Sequence, residues 1–423
     1  FLLDVKKPMF SKVQTAVYNC RKHTAAARIL AAKGATRAAT ELAEKTIKPA
    51  ILYETTFEII DLARIIRSKY VLIKPDTNKQ REYEALISKN LFDLKLILKA
   101  EGFYYELVSH YTASCSSKPQ IASKAAQYKD ELSTYLSKSD AYLFRFYYFI
   151  IAKLAYTTRH DYQGSMQVCK QAIAYLENKK AATPPAIAAF WHPLLIAATM
   201  LGRFDEAEAA AKRMEGLTVP GSHNWYKGME LLVFFRLHQQ QYQEAFRIFE
   251  KAKKHMRFAY LSEANQEQWY LFEAYMHLLR ALGKIGQATP AQKRFSLRPA
   301  RFLNQVPLFS RDKRGMNIPV LIVHAIYLLH LKRYDEAYDR MQALETYAAR
   351  HLRAGDETYR SFCFIKTLSK IPVSDYRRKA AEEAAAGLLR EMSQQPLQLA
   401  DAPHEIETIP YEHLWAMAMQ VLE

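Results

Sequence analysis

Glycine and proline are scarce, at 12 and 16 of 423 residues. A β-rich or α/β chain of this length needs more glycine for its turns, so those fold classes are set aside. Cysteine is scarcer still. Cys20, Cys115, Cys169 and Cys363 lie far apart, with no CxxC pair and no Cys/His cluster. That spacing excludes a zinc site and a disulfide framework and fits a reducing, cytoplasmic compartment. No run of 18 apolar residues occurs, so no segment reads as a membrane span. The P-loop, GxGxxG and GxSxG signatures are missing. His404-Glu405-Ile406-Glu407 lacks the second histidine of a zinc-protease helix. The chain therefore reads as a non-enzyme, with no catalytic residue, no metal and no cofactor. Its first residue is Phe1 rather than Met, which reads as a chain without its natural start, a signal peptide or N-terminal domain being among what would precede it.

What is abundant points to helices. Ala, Leu, Glu, Lys, Arg and Gln, the good helix formers, dominate. Hydrophobic residues make up 50% and charged residues 24%, a globular balance rather than a disordered one. Tyr (27) and Phe (21) are frequent enough for aromatic rings to fill the helix contacts. The net charge of +17 favours acidic partners: nucleic acid, anionic lipid or an acidic protein. It is uneven, since residues 1–100 hold 19 Lys/Arg against 10 Asp/Glu, and residues 371–423 hold 4 against 9.

Apolar residues recur with helical period throughout. The spacing predicts helices over 8–32 and 35–47, broken at Gly34, and over 49–73, with Ile51, Leu52, Ile59, Ile60, Ile65 and Ile66 on one broad face. Lys74-Pro75-Asp76 is a stop. A long or kinked helix over 78–113, a serine-rich loop over 114–119 and a helix over 121–136 follow. From about residue 139 a frame repeats: Tyr162, Ser165, Cys169, Ala172; Phe204, Ala207, Ala211, Met214; Tyr242, Ala245, Phe249, Ala252; and Tyr334, Ala337, Met341, Leu344. An aromatic ring closes a short turn, and a small residue three places on lets two helices approach closely. The next two side chains continue the same face. One such hairpin leaves an apolar face uncovered, so several must stack.

In this frame the chain resembles the tetratricopeptide-repeat family, most clearly at Trp191, Leu194, Gly202, Phe204 and Ala207, and at Tyr242, Ala245, Phe249 and Ala252. It departs from the family at Leu195, where a small residue is usual. The whole also resembles tetratricopeptide-like proteins of the Bacteroidetes at Phe302-Leu303-Asn304-Gln305-Val306-Pro307 and Asp312-Lys313-Arg314-Gly315-Met316-Asn317, a likeness that implies no activity. The expected fold is all-α, an α-α superhelix (a solenoid of antiparallel helical hairpins). Its expected blocks are an N-terminal helical region (1–138), hairpins (139–286), a basic aromatic insertion (287–317), further hairpins (318–395) and a capping helix (396–423), which starts near Pro410 and must bury Leu414 and Trp415.

The resemblance implies that the first helix of each hairpin lines a groove. Here that face would include Tyr147, Ile150, His192, Ile196, Lys227, Glu230, Phe234, Leu237, Ile322 and Ile326. It is mostly apolar, lacks the family's carboxylate clamp, and suits an amphipathic helix, an extended peptide or the chain's own terminal helix. The expected function is that of a scaffold or regulator binding a protein or peptide, an acidic one being favoured by the charge. The alternative is a nucleic-acid binder using Lys293, Arg294, Arg298, Arg301, Arg311, Lys313 and Arg314, which interleave with Phe295, Phe302 and Phe309. The competing structural reading pins those phenylalanines to the array and leaves the arginines solvated. His324 and His330 on an apolar helix read as packed histidines. Asp205-Glu206 and Asp335-Glu336 read as helix-dipole partners.

Overall fold

In a computed structural model, the structure describes residues 11–113, 118–286, 317–351, 359–395, 397 and 407–422, with backbone alone at 110–113, 118, 119, 264, 317, 350 and 351. Among the described residues every regular element is helical. The chain divides into two compact units, residues 1–194 and 195–423, a division that falls within the block expected at 139–286.

Unit 1 contains α1 (Lys12–Ala32), α2 (Thr36–Leu52), α3 (Thr56–Leu72), α4 (Thr77–Ala113), α5 (Lys118–Ser133), α6 (Tyr142–Thr157), α7 (Tyr162–Glu177) and most of α8 (Pro184–Met200). Each helix from α1 to α6 packs on the next, and α4 also meets α6. With 37 residues, α4 is about 55 Å long. Its first half joins α1, α2 and α3 through Ile87, around Leu62, Ala63 and Ile66. Its second half joins α5 and α6 through Leu96, Ala100 and Leu107, around Phe144 and Ile151. Burying each such side chain is worth about 1.5–3 kcal/mol. A polar staple ties distant turns together. The Glu54 carboxylate accepts the Tyr142 N–H at 2.7 Å and the Lys179 ammonium at 2.9 Å, and Lys179 also donates to Asp140 at 2.9 Å. Burial opposes the Lys179 charge, but these acceptors outweigh it and its pKa is raised.

Unit 2 contains the end of α8, α9 (Phe204–Met214), α10 (His223–His238), α11 (Tyr242–Lys253), α12 (Glu263–Ala281), α13 (Asn317–His330), α14 (Tyr334–His351), α15 (Tyr359–Leu368), the one-turn α16 (Lys370–Val373), α17 (Arg378–Ser393) and α18 (Tyr411–Val421). One continuous core runs from α10 to α18, with Trp269, Phe249, Phe364 and Leu414 wholly buried in it. Hairpin follows hairpin within each unit, as an α-α superhelix requires.

A single turn geometry recurs. Gly34, Glu54, His160, Gly202, Gln240, Gly283 and Lys332 all have φ between +51° and +78°. After each comes an N–H that donates to a carbonyl five residues back: Ala35 to Leu30, Thr55 to Ala50, Asp161 to Tyr156, Arg203 to Ala198, Gln241 to Arg236, Lys284 to Leu279 and Arg333 to Leu328, at 2.8–3.1 Å. This is the Schellman closure, which satisfies carbonyls left over at a helix end. In six of these turns the second helix starts two residues after the left-handed position, which places Tyr162, Phe204, Tyr242 and Tyr334 at its first turn. Ala207, Ala245 and Ala337, three residues on, are wholly buried, in keeping with close helix crossings.

The expected helix over 49–73 is corrected. Glu54 turns the chain at φ +51°, so Pro49, Ile51 and Leu52 end α2 while Ile59 and Ile66 belong to α3. Ile51 and Leu52 are consequently exposed, off the buried face of α3.

Candidate binding face

The first helices of successive hairpins fare differently in the two units. In unit 2 their common face is covered. Phe234, Leu237, Ile322 and Ile326 are all at most 4% exposed, and Leu237, Ile322 and Ile326 lie in one core with Ile409, Tyr411, Leu414 and Trp415. The expected groove is closed there because residues 407–422 fill it, which is the terminal-helix alternative weighed from the sequence. Glu230 is buried and accepts from the exposed Lys227 at 3.0 Å. Desolvation raises its carboxyl pKa against the pull of Lys227.

Residues 407–422 are anchored by one guanidinium. Arg360 on α15 is 4% exposed. Its Nε and Nη2 donate to the two oxygens of Glu407 at 2.8 Å, Nη2 reaches Glu412 at 2.8–2.9 Å, and Nη1 donates to the carbonyls of Met392 and Gln395 at 2.7 and 3.2 Å. Burial opposes the Arg360 charge, but Glu407 and Glu412 more than compensate and its pKa is raised. The Tyr411 N–H closes the set on Glu407 at 2.5 Å, Tyr411 stacks on Phe364 at 4.4 Å, and the His238 Nε2–H donates to the Glu407 carbonyl at 3.0 Å. The phenyl ring of Phe234 lies 4.1 Å from His238. A cavity of ≈ 340 Å³ remains beside this anchor, lined by Thr199, Phe204, His238, Arg360, Glu412 and His413 among others. The buried guanidinium is already saturated by protein acceptors, so it presents no free donor to a ligand.

In unit 1 the equivalent face is open. On α4 the buried residues Leu96, Ile97, Ala100 and Leu107 take one side, and Leu91, Leu98 and Tyr105 stand out on the other at 50%, 51% and 56% exposure. They are spaced by seven, with half-buried Leu94, Glu101 and Val108 interleaved three residues after each. That is the a/d pattern of a helix made to meet another helix. Exposed Gly102 lies on the same stripe, and nothing lies within 4 Å of where its Cβ would stand. Beside the stripe runs α6, with Leu143 exposed and Phe146, Tyr147 and Ile150 half-buried. The Tyr147 hydroxyl donates to Glu101 at 2.8 Å, and its ring sits 5.5 Å from Tyr104 and 5.7 Å from Phe146. Desolvation, with the Glu101 carboxylate second, raises its phenol pKa. Phe146 leans edge-on to Phe190 of α8 at 5.8 Å.

Of the groove residues expected from sequence, Tyr147 therefore stands on an open apolar face. His192 and Ile196 are half-buried along α8, and Lys227 is exposed. Leu91, Leu98 and Tyr105 escaped the sequence reading although their heptad spacing was visible, because α4 lay outside the repeat frame. Lys293, Arg294, Arg298, Arg301, Arg311, Lys313 and Arg314 lie outside the described residues, as do His404 and Glu405.

Other chemistry is sparse. Among the described residues no group of three His, Cys, Asp or Glu could hold a metal ion, and no helix is long and apolar enough to cross a membrane. Cys20, Cys169 and Cys363 are buried free thiols, and desolvation pushes Cys169 up to about 12, far from a reactive thiolate. No family model, no curated protein and no solved structure matches the chain, so the reading of its function rests on this geometry.

Proposed function

We propose that the protein is a non-catalytic helical-repeat scaffold or regulator, working in the cytoplasm, that binds a protein or peptide through the α4–α6 face of unit 1. The observation that carries this reading is the run of half-exposed Leu91, Leu98, Tyr105 and Leu143 beside the aromatic ledge of Tyr147. Large side chains left in water at regular spacing mark a surface meant to be covered. In unit 2 the equivalent face is already covered from within, which supports peptide-like occupancy as the natural use of such a face. The buried thiols suit a reducing compartment.

Selection of a peptide display library on the full chain tests this. Sequences enriched on the wild type should be lost when the bait carries Leu98→Asp with Tyr105→Asp. Both sites are half exposed, so the variant should keep the wild-type circular dichroism spectrum. Enriched sequences that bind the double variant equally well would place the binding site elsewhere, and co-purification of nucleic acid with failure to enrich any peptide would support the nucleic-acid alternative.

A further inference from the structure

Resting on that reading, we infer that the occupant of the α4 face is a single amphipathic helix with a seven-residue apolar repeat and an acidic flank. The shape of the face sets the form of the partner. From Leu91 to Tyr105 the apolar stripe spans about 21 Å and is one helix wide. Alternation with period 3.5 matches the knobs of another helix and not the period of two that an extended strand presents. Gly102 lies level with the seam, where a missing side chain lets a second backbone approach. The area sets the size of the partner. The exposed parts of Leu91, Leu98, Tyr105 and Leu143 sum to roughly 400 Å², about half of the ~800 Å² per partner that a stable standard interface buries. A single helix covers a stripe of that width and length.

Charge sets the chemistry of the flank. One edge of the stripe is walled by α6, where Glu101 is engaged by Tyr147. The other edge carries Phe92, Lys95 and Lys99 at helical spacing. Lys99 is paired with Glu131, whereas Lys95 is exposed and forms no ion pair among the described residues. A helix lying in this position would set its own flank against Lys95, and Glu or Asp there gains an opposite-charge contact that Lys would turn into repulsion.

Two synthetic 21-residue helical peptides test this, both with leucine at the seven-residue repeat, one flanked by Glu and one by Lys. Fluorescence anisotropy against the full chain should show the Glu-flanked peptide binding, at least tenfold more weakly to Leu98→Asp, and several-fold more weakly to Lys95→Glu. The latter variant should gain affinity for the Lys-flanked peptide. Equal binding of both peptides by the wild type, or indifference of the Glu-flanked peptide to Leu98→Asp, overturns the inference. So does a wild-type dimer in sedimentation that Leu98→Asp dissolves, since a second copy would then occupy the face. Library binders that depend on Leu98 yet lack an acidic flank would overturn this inference alone and leave the proposed function standing.

Discussion

Replacing Arg360 with alanine is the sharpest perturbation of unit 2. The guanidinium makes six hydrogen bonds, four of them to the carboxylates of Glu407 and Glu412. Its removal leaves the Glu407 carboxylate, whose side chain is 5% exposed, without its charge partner. The Met392 and Gln395 carbonyls lose a donor as well. Glu412 is 40% exposed and regains water, so its share is small. Breaking a buried pair from one side costs about 3–5 kcal/mol, chiefly because a charge remains buried. The effect should be confined to unit 2, where Trp225, Trp269 and Trp415 report on tertiary structure. In urea titrations followed by tryptophan fluorescence, Arg360→Ala should lower the unfolding free energy of the unit 2 transition by that amount, read as a lower midpoint at unchanged slope. Arg360→Met combined with Glu407→Leu should recover much of the loss, since no lone charge is left. A single variant within 1 kcal/mol of wild type would refute the argument that this guanidinium anchors residues 407–422.

Acid should act on unit 2 through its histidines. Burial lowers His238 and His277 to about 3 and His324 to about 4. The unfolded chain binds protons near pH 6.5 that the folded one refuses, so this stability is complete above about pH 6.5 and is lost as pH falls toward 3–4. The raised carboxyls of Glu230 and Glu407 oppose the trend, and the share of each histidine lost from pH 7.5 to pH 5 should be about 2 kcal/mol. A urea midpoint that does not move over that interval would contradict it. Ala207→Trp or Ala245→Trp should each cost about 1–3 kcal/mol by overpacking a helix crossing where the alanine is wholly buried, measured by thermal unfolding; wild-type stability in both would place the crossings elsewhere. Gly102→Ala should stabilise α4 by about 0.5–1 kcal/mol, since the added methyl meets nothing within 4 Å, while weakening the peptide seated on the stripe. A stability gain with unchanged binding would mean that no backbone approaches there.

The sequence showed the hairpins where glycine or an aromatic ring marked the turn, as at Gly34, Gly202 and Tyr242. It hid the turn at Glu54, since a glutamate can take the left-handed conformation when a Schellman closure and its own bonds to Tyr142 and Lys179 hold it. Pro49, read as a helix start, sits near the end of α2 instead. The groove was legible as a list of first-helix residues and not as an open or closed surface. Whether Phe234 and Ile322 meet a ligand or the chain's own end depends on Arg360 meeting Glu407, 47 residues away, and helical periodicity carries no information on such a pairing. In unit 1 the decisive residues Leu91, Leu98 and Tyr105 belong to a helix without a repeat frame, so their seven-residue spacing, visible in the sequence, pointed to a surface only once their exposure was known.

Hydrogen–deuterium exchange on the full chain, with and without the Glu-flanked peptide, addresses the division between an open unit 1 face and a filled unit 2 face. Protection should appear over residues 91–108 of α4 and 142–150 of α6, with no change over 407–421. Release or protection of 407–421 on peptide addition, with α4 unaltered, would contradict the account.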